Sequence, residues 1–334
     1  MLFGKPLYQK AALGRPPAFI TEDSSLPPNP IAAKFSSLKQ AVFRGKPILA
    51  AYRRDFLDAC IDYADRLRTR NPADVNQLHQ LLAKTFNDCK QLTVARDFIT
   101  DWVLLESETT SPENLTEILL EFLERLCQLR YRPAELTTWN DAWFEGHVVF
   151  VYETFLYVVA ALLKTNSHAL LHSVFFNRHM DSRYGTPQLD NFGVFSGSAP
   201  SLNALIAPAG QQYKSPAAEI ITRQAQRGDL PFTSLMQAEL LATLVAFASK
   251  DVLWFPQTLF YMGHGTTFPF FVRAAQHGNF TKLATIIGIQ SADELRTPVK
   301  EGQSRLGVQQ WHHFSLWDRT LWSSMNMDAL DTLP

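Results

Sequence analysis

The sequence predicts a mainly α protein: a bundle-like assembly of many helices with an extended N-terminal arm and at most a small two-stranded β element. Three observations carry this. Apolar residues recur at three- and four-residue steps through most of the chain from Ile31 onward. Strand-like runs are confined to two short segments near residue 255. Pro16, Pro17, Pro27, Pro28 and Pro30, with Ser24 and Ser25 between them, interrupt the beginning of the chain. Proline removes amide donors and fixes φ, so this stretch reads as an arm rather than a helix.

The arm covers residues 1–30. Leu2, Phe3, Leu7, Tyr8, Leu13, Phe19 and Ile20 give it apolar anchors, which favours an arm that docks on something over an inert tail. An N-terminal helical region, 31–138, follows. Within it Ala50–Arg70 places Phe56, Cys60, Tyr63 and Leu67 on one face, and Asn71-Pro72 ends that helix. Leu78, Leu81, Leu82 and Phe86, then Phe98, Trp102 and Leu105, continue the period. Ser111-Pro112-Glu113 reads as a helix start, with a capping hydroxyl, a first-turn proline and an acid at the positive dipole end. Leu115, Ile118, Leu119, Phe122, Leu123 and Leu126 then form a clear stripe.

The third region, 139–334, is an aromatic-rich helical mass. Asp141–Lys164 and Ser167–Asn177 are apolar helices, and 178–215 is a long loop punctuated by Gly and Pro. Helices are expected from Pro216 to Arg227, from Phe232 to Lys250 and from Asn279 to Ile287, the last closed by Gly288. Val252–Phe255 and Leu259–Met262 are the strand candidates, and Trp311 to Trp322 an aromatic amphipathic helix.

Composition narrows the class. In 334 residues, 46% are hydrophobic, enough for a sizeable core in a globular protein. The net charge of -1 creates no global field for nucleic acid or acidic membranes. Cys60, Cys89 and Cys127 show no C-x-x-C spacing, which argues against a disulfide framework or cysteine zinc site and suits a reducing, cytoplasmic setting. The run from Val148 to Leu163 contains Glu153 and falls short of the roughly 20 residues a spanning helix needs. A buried core helix, with no membrane partner, is therefore expected. The first ten residues lack the unbroken apolar stretch of a signal peptide.

Charge is unevenly placed. Residues 1–54 carry Lys5, Lys10, Arg15, Lys34, Lys39, Arg44, Lys46, Arg53 and Arg54 against Glu22 and Asp23. Residues 101–160 carry the opposite excess. These nine basic residues are the candidate contacts for a partner protein, for a second copy of the chain or for nucleic acid. Affinity for nucleic acid through them would fall steeply with salt.

No phosphate loop, dinucleotide fingerprint, nucleophile elbow or His-Glu-x-x-His is present. His168 and His172, four apart on a helix with His179 beyond, have the spacing of a metal pair but lack a defined third ligand. Arg305 and His312 match the arginine–six residues–histidine spacing of helical ribonucleases, a spacing common by chance, and Gly307 and Leu306 depart from the pattern. Glu153 is the costliest carboxylate in the chain, and Arg178 or Arg273 is its expected partner. Gly263-His264-Gly265-Thr266-Thr267 is a glycine-flanked hydroxyl loop without the lysine of a nucleotide loop, so a tight turn is expected. Arg273, among aromatics, suits a stacked or ion-paired structural role.

Tyr152–Lys164 (YETFLYVVAALLK), Asp251–Tyr261 (DVLWFPQTLFY) and Phe268–Ile289 (FPFFVRAAQHGNFTKLATIIGI) together resemble helical accessory or sensor regions of bacterial anti-phage defence proteins. The resemblance covers residues 140–334 loosely and transfers no catalytic residue. It implies a non-catalytic scaffold or sensor subunit that docks other proteins through the arm and the opposed charge blocks, with no catalytic residue, metal or cofactor of its own. The competing expectations are a ribonuclease or metal-dependent nuclease using His168 and His172 or Arg305 and His312, and a nucleic-acid-binding subunit using the basic N-terminal segment.

Overall fold

The structure is a computed structural model and describes residues 30–45, 48–71, 78–182, 186–203, 215–263, 265–308 and 317–334. Residues 1–29 of the arm, Lys46, residues 204–214, His264 and His312 lie outside the described residues, and Pro30 opens the first helix. Among the described residues the fold is helical throughout, apart from one small antiparallel sheet.

Helix α1 (Pro30–Phe43) buries Ile31, Phe35, Leu38 and Ala41 against α2 (Leu49–Leu67), which answers with Phe56, Leu57 and Cys60. Phe35 joins both to α3 (Leu78–Thr109), its ring lying 5.2 Å from Phe56 and 5.5 Å from Phe98. Helix α4 (Pro112–Gln128) begins at the expected Ser-Pro-Glu signal, although the Ser111 side chain makes no capping bond. Its stripe packs inward, with Trp102 edge-on to Phe122.

Helix α5 (Glu145–Lys164) is the axis of the molecule. Every residue from Glu145 to Leu163 except Val148 is buried. Phe155 stands at the centre of a ring cluster, 4.7 Å from Phe195 and 5.6 Å from Trp254. Around this axis lie α6 (His168–Phe176), α7 (Pro216–Gln224) and α8 (Phe232–Ser249). Outside them come α9 (Pro269–Arg273), α10 (His277–Ile287), α11 (Asp293–Val308) and α12 (Trp317–Ser324). Gly288 closes α10 with φ 79°, the left-handed conformation expected of it. The C-terminal end returns to the body, where the Leu333 amide donates to Ala275 and the His277 amide to Leu333.

One hydrophobic cluster runs from Ile31 to Leu330, so the two helical regions share a single core. The segments Asp141–Lys164 and Phe232–Ser249 are long and apolar enough to cross a membrane by length and composition, yet 89% and 67% of their apolar windows are buried inside the fold. Such burial explains apolar residues on all faces without a bilayer.

The strand expectation needs correction. Residues 252–257 have no regular structure and Thr258–Tyr261 is a 3-10 turn. The amides of Gln257, Thr258 and Leu259 donate to the Glu239 carboxylate, not to a neighbouring strand, and Pro256 has no amide to offer. The sheet lies instead inside the long loop, where β1 (His179–Asp181) pairs antiparallel with β2 (Gln188–Asp190).

Close approach of α5 to α3 depends on Gly146. A Cβ there would sit 2.8 Å from the Thr85 carbonyl oxygen and 3.3 Å from its Cγ2. Gly146→Ala is expected to lower unfolding free energy by about 1–3 kcal/mol, read from the urea midpoint, because a helix backbone must shift to admit the methyl.

Candidate ligand cleft

The sequence-derived candidates fall in separate places. Of the basic set, Arg44 and Arg54 are exposed, Lys34 pairs with Asp55 at 2.9 Å, and Lys39 lies over the Phe35 ring at 5.0 Å. Arg53 is no surface contact: its guanidinium forks onto Glu106 at 2.8 and 2.7 Å, and both side chains are buried. The basic and acidic blocks thus meet within the chain at this pair. His172 stacks on Phe176 and bonds the Ile286 carbonyl, while His179 is buried and bonds the Val174 carbonyl. Arg305 donates to the Lys250 carbonyl. Among the described residues no three His, Cys, Asp or Glu side chains converge as a metal centre would require.

Buried charge is spent on structure. Glu153 pairs with neither Arg178 nor Arg273. Its partner is Arg96 of α3, which also donates to Asp97 Oδ1 at 3.0 and 2.8 Å and lies 4.8 Å from the Tyr157 ring centroid. Proximity across the α3–α5 interface decides this, whereas Arg178 is committed to Asp251 at the surface. Burial pushes the Glu153 carboxyl up to about 7, even with Arg96 opposing it, since Asp97 shares the same guanidinium. Glu239 is likewise raised to about 7 by burial while it accepts three amide N–H groups. Glu145 accepts the amides of Ser201 and Leu202, both at 3.1 Å. His147, buried against the Ala64 carbonyl, is held down to about 4 by desolvation.

Open chemistry collects in one cleft of about 530 Å³, between the C-terminal end of α5, the start of α8, the turn before α9 and the outer face of α10. Lys164, Arg273 and Lys282 line it, with Asp229 as the opposing carboxylate. Hydroxyls of Thr233, Ser234, Thr266 and Thr267 share the wall, and Leu163, Leu230, Phe268 and Phe270 form an apolar floor. The glycine-flanked motif makes a turn, with Gly265 at φ 74° and the Thr266 amide bonded to the Gly263 carbonyl, although it follows a 3-10 turn and not the strand expected before it, and its threonines line this cleft. Arg273 departs from its expected structural role. It is exposed and, among the described residues, makes no ion pair or ring contact, while Phe268 and Phe271 beside it are buried.

Asp229 ties the cleft to the interior. Arg227 holds it at 3.1 and 2.8 Å and reaches Asp101 at 2.7 Å and the Asp97 carbonyl at 3.1 Å. Asp97 in turn shares Arg96 with Glu153. Charged contacts thus lead from the cleft wall to the centre of α5, with Arg227 bonded to the Asp97 carbonyl and 3.9 Å from its carboxylate. Lys164, Asp229 and Lys282 escape sequence reasoning because they belong to segments far apart in the chain, and no local spacing connects them.

No family model, curated protein or solved structure matches this chain.

Proposed function

We propose that this chain is a non-catalytic helical sensor subunit of a multi-protein assembly, with the cleft as its receiving surface and the N-terminal arm as a docking element. The observation that supports it is the run of ionic contacts from Asp229 through Arg227, Asp97 and Arg96 to Glu153, which links the cleft to the two longest helices of the core. An occupant that competes with Asp229 for Lys164 acts on the same carboxylate that anchors Arg227. The setting in bacterial anti-phage defence rests on the resemblance of three sequence segments alone.

The linkage is testable without a ligand. Asp229→Asn removes a part-exposed charge, so its global cost is small. In hydrogen exchange it is expected to speed the amides around 96–101 by about two- to fivefold, the equivalent of up to about 1 kcal/mol. A change confined to 225–230 would contradict the sensor reading.

A further inference from the structure

We propose that the cleft binds a small phosphorylated molecule of nucleotide size, its phosphate held among Lys164, Arg273 and Lys282 and its organic part resting on the apolar floor. This deepens, and rests on, the reading of the cleft as the receiving surface.

Charge comes first. Three cations face one carboxylate, and that carboxylate is already held by Arg227, so the cleft favours an anion of more than one negative charge. Lys164 bonds a backbone carbonyl of Asp229 and Lys282 the side-chain oxygen of Asn279, leaving each ammonium further donors. The unpaired Arg273 offers a planar fork that matches two phosphate oxygens. Around these, the hydroxyls of Thr233, Ser234 and Thr267 are placed to supply neutral donors to phosphate oxygens, while that of Thr266 donates to the Gly263 carbonyl.

Size and surface come second. About 530 Å³ lies well inside the range of small-molecule sites and exceeds what inorganic phosphate fills. Phe270, partly exposed above the buried Phe268, Leu163 and Leu230, provides apolar area that a bare polyanion leaves unused. A concave site of this size suits a free small molecule better than a length of polynucleotide.

The test is calorimetric titration of the full chain with ATP, inorganic tripolyphosphate, adenosine and a single-stranded oligonucleotide. Binding of ATP, with adenosine inert, is expected. Arg273→Glu and Lys282→Glu should each weaken it by about tenfold or more, with an unchanged helical spectrum because both side chains are exposed. Tighter binding of ATP than of tripolyphosphate supports the proposal, whereas equal binding shows that the organic part adds nothing and overturns it. Binding of neither, binding indifferent to both substitutions, or preference for the oligonucleotide would overturn the proposal. Such a failure leaves the sensor reading to stand or fall on the Asp229→Asn exchange result alone. Conversely, ATP binding beside a purely local Asp229→Asn effect would keep the ligand and remove the coupling.

Discussion

Replacing Glu239 by alanine should destabilise the fold by about 3–5 kcal/mol, measured by denaturant unfolding, because several buried donors lose their only strong acceptor. The carboxylate is fully buried in α8 and receives the Gln257 amide at 2.8 Å, the Thr258 amide at 2.6 Å, the Leu259 amide at 3.2 Å and the Thr258 hydroxyl. Those donors belong to the segment that carries Trp254 into the ring cluster around Phe155, so their loss frees a stretch of core as well as a set of bonds. A loss below about 1 kcal/mol would show that water replaces the carboxylate and that the acid is dispensable.

The same residue has a pH signature. Burial raises its folded pKa to about 7, above the ordinary 4.5, so the folded state keeps a proton that the unfolded state releases. The stabilisation linked to that proton is complete below about 4.5 and is lost as pH rises toward 7. Glutamine cannot ionise. The stability difference between Glu239→Gln and the parent should therefore shift in favour of the variant as pH rises through that window. The difference is the quantity to read, because His147 pulls the parent curve the other way: held down to about 4, it destabilises the fold as pH falls from about 6.5.

Arg96→Ala is the second large effect, expected at about 3–5 kcal/mol in the same measurement. It leaves Asp97 and Glu153 buried without their shared cation and strips a guanidinium from the face of Tyr157. Most of this cost comes from the charges left behind. Combining Arg96→Met with Glu153→Met should accordingly recover the share due to Glu153, since apolar groups of similar volume replace that pair, while Asp97 keeps only Arg227 at 3.9 Å. If the double variant is as unstable as the single, the stranded Glu153 carboxylate is not the source of the cost.

The helical elements are legible in the sequence because amphipathic period, capping residues and breakers act locally. The start of α4 at Pro112, the end of α10 at Gly288 and the buried character of α5 all follow from neighbours within a turn or two. The departures have a common physical source. Val252–Phe255 has strand-like composition, but a carboxylate on α8 claims the amides that follow it, and composition carries no record of that. Glu153 announces its need for a cation, and only the α3–α5 packing selects Arg96 over Arg178 or Arg273. Glu239 carries the same signal, a lone acid in an apolar helix, but its partners are backbone amides, which no residue type marks. The cleft is half visible. Thr266 and Thr267 stand out as a hydroxyl loop, whereas Arg273 reads as a structural cation among aromatics, and Lys164, Asp229 and Lys282 reach the same place only through tertiary folding.

Whether an anion in the cleft is felt in the core is tested most directly by hydrogen exchange of the full chain with and without ATP. Coupling predicts slower exchange at 229–237 and 266–282 together with altered exchange at 96–101 and 153–157, all abolished in Arg273→Glu. Protection limited to the cleft segments, or none at all at saturating ATP, would contradict it.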